Sequence, residues 1–172
     1  MSSVDPKLCV TDEDCNDDAV GFDPVYWLTL DTPSEKQKAG YKKATITKWR
    51  NRRMRGNTAE EIVEKELSDN GISFAHTMIL DETKKRHIFN LGSVKNLLEG
   101  HKRKNETVAI LAELVVGLPD LICLDKKNKI YFIEIKSNKS EVKPEQKQAI
   151  DQLRDYDFKV IVRRIKVGLL QK

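Results

Sequence analysis

Apolar residues fall into short runs along this chain, and the period changes from run to run. Ile62, Val63 and Leu67 recur at helical spacing behind Thr58-Ala59-Glu60-Glu61. That tetrad has the capping-box form, with Thr58 as the N-cap and Glu61 as the reciprocal acceptor. Asn70-Gly71 supplies the stop. Ile72 to Leu80 then predicts a strand. Residues 81–106 mix charges with little periodicity and predict a loop-plus-helix insertion. Thr107 to Val116 is apolar apart from Glu113 and reads as either a short buried helix or a strand.

The most informative stretch is Gly117 to Lys136. Leu121 to Leu124 and Ile130 to Ile135 flank the polar link Asp125-Lys126-Lys127-Asn128-Lys129, a pattern that predicts a β-hairpin. Side chains alternate across a strand, so Glu134 and Lys136 share one face. Antiparallel pairing carries them back beside Asp120, which opens the first strand. Two carboxylates and an ammonium at the end of a buried sheet imply a guest, because charges are rarely buried without a partner. A hard divalent cation is the guest that suits such oxygens. Downstream, Ser137 to Lys143 is a polar link and Pro144 opens a helix at N1, with Ala149, Ile150 and Leu153 facing inward to about Tyr156. Phe158 to Ile165 predicts a last strand. The order of elements describes an α/β layer with a mixed sheet.

Charge divides the chain. Residues 1–35 hold nine acidic residues against Lys7 alone; removing that net −8 from the overall +4 leaves +12 for the rest. Residues 1–39 read as an acidic tail with at most a docked turn at Tyr26, Trp27 and Leu28. Residues 40–57 read as a basic segment in which Lys42, Lys43, Lys48, Arg50, Arg52, Arg53 and Arg55 occur without one acid. Solvated helices ordinarily mix signs, so seven cations together point to phosphate contacts. Lys102, Arg103 and Lys104 add a second basic cluster in the insertion. A basic body suggests a polyanionic partner, with nucleic acid first and an anionic membrane surface second. No apolar run approaches the ~18 residues of a membrane span, and no apolar stretch follows a basic start as in a signal peptide. Cys9, Cys15 and Cys123 match no zinc spacing, which predicts reduced thiols, a core role for Cys123, and a cytoplasmic or nuclear setting.

Pro119-Asp120, thirteen intervening residues, then Glu134-Ile135-Lys136 resembles the PD-(D/E)XK nuclease signature. With the upstream helix glutamate, Lys143-Pro144-Glu145-Gln146 at the next helix start and the ending Val160-Ile161-Val162-Arg163-Arg164, it is similar to the VRR-nuclease and archaeal Holliday-junction-resolvase branch. The resemblance spans 58–165 outside the insertion, within a nuclease domain taken as 58–172. Two features depart from it: Asp157 stands where a glycine is frequent, and the insertion is long.

The resemblance implies a restriction-endonuclease-like α/β core and a Mg²⁺-dependent DNA endonuclease, with Mn²⁺ as substitute. Asp120, Glu134 and the main-chain carbonyl of Ile135 would hold the ion, and Glu60 would complete the set, with Glu61 as its rival. Lys136 would orient or deprotonate the attacking water or stabilise the phosphorane oxyanion. Gln146 would hold the water or a phosphate. Branched DNA such as a Holliday junction is the implied substrate, and its two symmetric cuts imply a homodimer. A sequence-specific restriction enzyme, an exonuclease on the same core, and a nucleic-acid-binding module without chemistry remain alternatives. Each residue also has a plainer reading: Asp120 as a turn residue after proline, Glu134 and Lys136 as the polar face of a half-buried strand, Gln146 as a solvated helix residue.

Overall fold

The computed structural model describes the backbone of residues 25–30 and 43–171, and side chains from Arg53 to Val167. Of the acidic 1–39 segment only strand β1 (Val25–Leu30) falls within the described residues, and Lys42 lies outside them. Helix α1 (Lys43–Asp69) is followed by strands β2 (Ser73–His76), β3 (Met78–Asp81) and β4 (Arg86–Phe89). Helices α2 (Leu91–Leu97) and α3 (Lys104–Glu113) lead to strands β5 (Leu121–Leu124) and β6 (Ile130–Ser137). Helix α4 (Pro144–Asp155) and strand β7 (Lys159–Gln171) complete the chain. The main sheet has the order β1-β7-β6-β5-β2, while β3 and β4 form a separate two-stranded hairpin. Pairing is antiparallel for β2–β5 and β5–β6 and parallel for β6–β7 and β1–β7, so the sheet is mixed as the sequence predicts.

The sheet is buried on both faces. Ala59, Val63 and Leu67 of α1 pack on Leu121, Cys123, Ile133 and Ile165. On the opposite face Val94 and Leu98 of α2, Ile110 and Leu111 of α3, and Ile150 and Leu153 of α4 cover Ile122, Phe132 and Val160. Phe132 and Phe158 meet edge to face with centroids 5.4 Å apart. This three-layer α/β arrangement is consistent with the expected restriction-endonuclease-like core. Cys123 is buried as expected, and burial pushes its thiol up to about 12.

Three local expectations are corrected. Thr58 does not cap a helix, because α1 runs unbroken from Lys43 through it. A capping box acts only where the chain upstream is non-helical; here the basic segment is itself rich in helix formers, and Gly56 alone costs only about 1 kcal/mol. The single strand expected over 72–80 divides at Thr77 into β2 and β3. The stretch around Tyr26 to Leu28 is a strand beside β7, where only a docked turn was expected. The open question at Thr107 to Val116 resolves to helix α3. The expected hairpin and final helix stand where the pattern put them.

Two left-handed residues end the helices that frame the sheet. Gly71, at φ +66°, closes α1 as Ile72 N–H donates to Leu67 O. Asp157, at φ +62°, closes α4 with Phe158 N–H on Leu153 O and Asp157 N–H on Arg154 O, a Schellman pair. The glycine position from which this chain departs is thus one that needs positive φ, which aspartate tolerates better than most residues. Asp157→Gly is expected to raise the thermal midpoint slightly, by up to about 1 kcal/mol in unfolding free energy, and Asp157→Val to lower it. Chemical denaturation of the three proteins measures this.

Candidate active site

Strand register decides who meets whom. Leu121 stands opposite Ile133, so Asp120 falls at the ladder's end beside Glu134. Asp120 Oδ2 accepts the main-chain N–H of Ile135 at 2.6 Å, which holds the carboxylate against β6. In an extended strand the N–H and C=O of one residue point to the same side. The Ile135 carbonyl therefore also looks toward Asp120, beyond the last β5–β6 pair.

Glu134 is 1 % exposed. Its Oε1 lies 2.6 Å from Lys136 Nζ and accepts a 2.6 Å bond from Gln146 Nε2. Lys136 Nζ also donates to Gln146 Oε1 at 2.8 Å. Gln146 is third in α4, and its Oε1 reaches back to the main-chain N–H of Lys143 at 3.1 Å. One side chain thus caps the helix and ties the Glu134–Lys136 pair to it. Glu134 Oε2, in contrast, is buried and has no hydrogen-bond partner.

Burial and, next, the neighbouring Asp120 charge push Glu134 up to about 7, against the pull of Lys136 and of the Asp120 main-chain N–H. Asp120 is raised by burial as well, with the Ile135 N–H and Lys136 opposing. Glu60 sits half-buried on α1, raised first by burial and then by the Asp120 charge. Glu61 is exposed on the neighbouring face of the same helix. Helix geometry, rather than capping, favours Glu60 over Glu61.

Other groups gather here that the sequence did not single out. Thr77 is fully buried; its N–H donates to Asp120 O at 3.0 Å and its hydroxyl donates to Pro119 O. His76 Nε2 lies 2.9 Å from Glu64 Oε1, and the imidazole is close enough to favour the charged forms of Glu60 and Asp120. Gly117, at φ +80°, lies so close to the Glu145 carbonyl that no Cβ fits, which seats the Pro119-Asp120 segment against the start of α4. No sequence spacing marks these residues, because the pairing of β2 with β5 brings His76 opposite Leu121.

The basic residues fare unevenly. Lys43, Lys48, Arg50 and Arg52 belong to α1 by backbone alone; Arg53 is exposed and Arg55 is half-buried. Lys102 is exposed. Arg103 and Lys104, expected on phosphate, are engaged within the protein. Arg103 pairs with Glu106 at 2.9 Å, donates to Tyr156 O at 2.9 Å and lies over the Phe158 ring, while Lys104 pairs with Glu99. The reason is local: Glu106 follows Arg103 by one helical turn and Glu99 precedes Lys104 across the α2–α3 turn.

Residues 54–166, well over half of the chain, match the VRR-NUC domain model. The chain belongs to the VRR-NUC domain family. This is a PD-(D/E)XK-like nuclease domain family, so the resemblance drawn from Asp120, Glu134 and Lys136 holds at the level of the family. Comparison with curated proteins and with solved structures returns no match. Among the described residues, no helix of the VRR-NUC domain is long and apolar enough to cross a membrane.

The donor set fits a divalent cation. Among the described residues no three His, Cys, Asp or Glu side chains form a ready cage. Magnesium does not require one, since it keeps several waters and is held by one or two carboxylates plus substrate oxygens. Glu134 Oε2 is the unpartnered oxygen of this set, and it lies beside Asp120, whose charge raises the Glu134 proton affinity.

Because the folded protein holds the Glu134 proton more tightly than the unfolded chain, the unfolded state binds fewer protons between about pH 4.5 and 7. Stability therefore falls as pH rises through that window. The stability of wild type minus that of Glu134→Gln, without divalent ions, is expected to drop by on the order of 1–3 kcal/mol from pH 5 to pH 8. Added Mg²⁺ should restore more stability at pH 8 than at pH 5, because protons compete for the same oxygens. Denaturant titrations at the two pH values check both.

Proposed function

We propose that this VRR-NUC domain is a divalent-cation-dependent DNA endonuclease acting on branched or otherwise structured DNA. The observation that carries the reading is the divided Glu134 carboxylate: one oxygen is held by Lys136 and Gln146, the other is buried without a partner beside Asp120. Asp120, Glu134 and the Ile135 carbonyl hold Mg²⁺, or Mn²⁺ in its place, with Glu60 contributing directly or through water. When bound, that cation supplies charge neutralisation at the phosphate and acidifies a water.

Everything else falls to the chain itself. Lys136 has acceptors on both Glu134 and Gln146, so its nitrogen serves as a donor. An ammonium has three N–H groups, and the third is left to orient the attacking water or to meet the oxyanion that builds on phosphorus. Gln146 fixes the Lys136 position and keeps the Glu134 oxygens in order. Thr77 and Gly117 hold the Pro119-Asp120 backbone in place. The apolar side chains on both sheet faces keep bulk water from Glu134, which strengthens its interactions with Lys136 and Gln146.

The basic α1 segment supports a polyanionic substrate, and the preference for branched DNA and a two-fold dimer rests on the likeness to the resolvase branch. The test is cleavage of a four-way junction, a flap, a linear duplex and a closed circle with Mg²⁺, Mn²⁺ or EDTA. Asp120→Asn and Glu134→Gln are expected to lower cleavage by about 10²–10⁴-fold. Gln146→Ala, which loosens the pair without removing a ligand, is expected to cost about 10–100-fold. Wild-type protein that leaves every substrate intact with either ion would mean a binding module instead.

A further inference from the structure

Thr77 is a branch point in the fold. Its N–H continues the β2 contact to Asp120 O, its carbonyl accepts Asn90 N–H at 2.8 Å, and between Thr77 and Asn90 the chain leaves the main sheet as the β3–β4 hairpin. The root of the hairpin is thus hydrogen-bonded to the backbone of a proposed cation ligand. At its base Met78 and Phe89 pair and pack on the core. Beyond that the hairpin stands in solvent, with Ile79 and Leu80 each about half exposed (49 % and 51 %).

Its turn is ordered by Asp81. Asp81 Oδ1 accepts the N–H groups of Thr83 at 3.0 Å and Lys84 at 3.2 Å and the Thr83 hydroxyl at 2.5 Å. The turn uses Oδ1 alone, and Oδ2 pairs with Lys84 at 3.9 Å. Lys85, in the left-handed region at φ +49°, and Arg86 are exposed, and among the described residues neither has an ion-pair partner. His87 lies exposed beside them. This contrasts with Arg103 and Lys104, which are paired with Glu106 and Glu99.

We infer that the β3–β4 hairpin is a nucleic-acid arm, whose turn brings Lys84, Lys85 and Arg86 to the DNA backbone beside the Asp120 site while Ile79 and Leu80 meet sugar and base surfaces. The inference rests on the nuclease reading for its substrate. Charge complementarity selects the occupant: three clustered cations outnumber Asp81, which is tied into the turn, and the exposed Glu82, and a net positive tip suits phosphates. Four strand residues extend about 13 Å, the length of about four nucleotides of one strand. Such an arm holds a strand in register and adds contacts that a bare catalytic face lacks.

Binding in EDTA decides this apart from cleavage. The probes are a fluorescent 20-base-pair duplex and a four-way junction, followed by anisotropy across a salt series. Lys84→Ala/Lys85→Ala/Arg86→Ala is expected to weaken binding at least tenfold and to reduce the slope of log K against log[salt] by about 2–3. Lys126→Ala/Lys127→Ala/Lys129→Ala removes three charges at the opposite end of β5 and β6 and is expected to leave that slope nearly intact. Ile79→Ser/Leu80→Ser should weaken binding with the slope unchanged. An unaltered slope in the first variant, or an equal loss in the Lys126 set, overturns the arm. So does a serine variant that binds DNA normally but loses a dimer seen by light scattering, which would assign the apolar pair to a second copy of the chain. Wild-type protein that binds through the arm but never cleaves would overturn the nuclease reading and leave the arm standing.

Discussion

The structure depends on keeping one carboxylate, that of Glu134, in a place where charge is costly. Both faces of the sheet are sealed by helices, so Glu134 loses its water. Taking an isolated carboxylate out of water costs several kcal/mol even after the protein relaxes. Only part of that is returned by the Lys136 ammonium and the Gln146 amide, both on the same oxygen. The second oxygen remains unsatisfied, next to a second raised carboxylate. The proposed cation would offset this cost, and the surrounding frame holds the two carboxylates side by side.

That frame is made of backbone contacts. The Ile135 N–H pins Asp120, Thr77 clasps Pro119 and Asp120 from the next strand, and Gly117 lets the same segment lie against α4. On the far side of β6, the paired β7 sends Arg163 to the buried Glu66 of α1 at 3.2 Å and Arg164 to the Ser140 carbonyl at 2.7 Å. The two arginines alternate across the strand, so one clamps α1 and the other clamps the loop that leads into α4. Asn138 extends the same edge, its amide exchanging bonds of 2.7 and 3.1 Å with Val167. Positioning within about half an ångström is what such a surround supplies to a reactive site.

Much of this was legible along the chain. The alternation of Glu134 and Lys136 around Ile135, the polar link at Asp125 to Lys129 and Pro144 at a helix start are local signals, and each kept its meaning in the fold. Gln146 was legible only by likeness; its place between Lys136 and Glu134 follows from the β6–α4 loop. Thr58 misled because a capping box is a statement about where a helix begins, and the basic segment upstream was helical too. Val25 to Leu30 misled for the opposite reason: its strand exists through pairing with β7, some 140 residues away. For Arg103 and Lys104 the nearby partners Glu106 and Glu99 stood in the sequence, but the Tyr156 carbonyl and the Phe158 ring reach Arg103 only through packing.

By itself the sequence determined the periodic elements, the sign and distribution of charge, and the three groups that alternation and hairpin pairing must bring together. Those depend on backbone geometry over a few residues, which composition and spacing encode directly. Only the tertiary structure decided that Thr77 and His76 join them, that one Glu134 oxygen is left without a partner, and which cations remain open to solvent. Those outcomes depend on strand register and on burial between distant segments. Burial changes the energy of a charge by more than any local sequence signal can report.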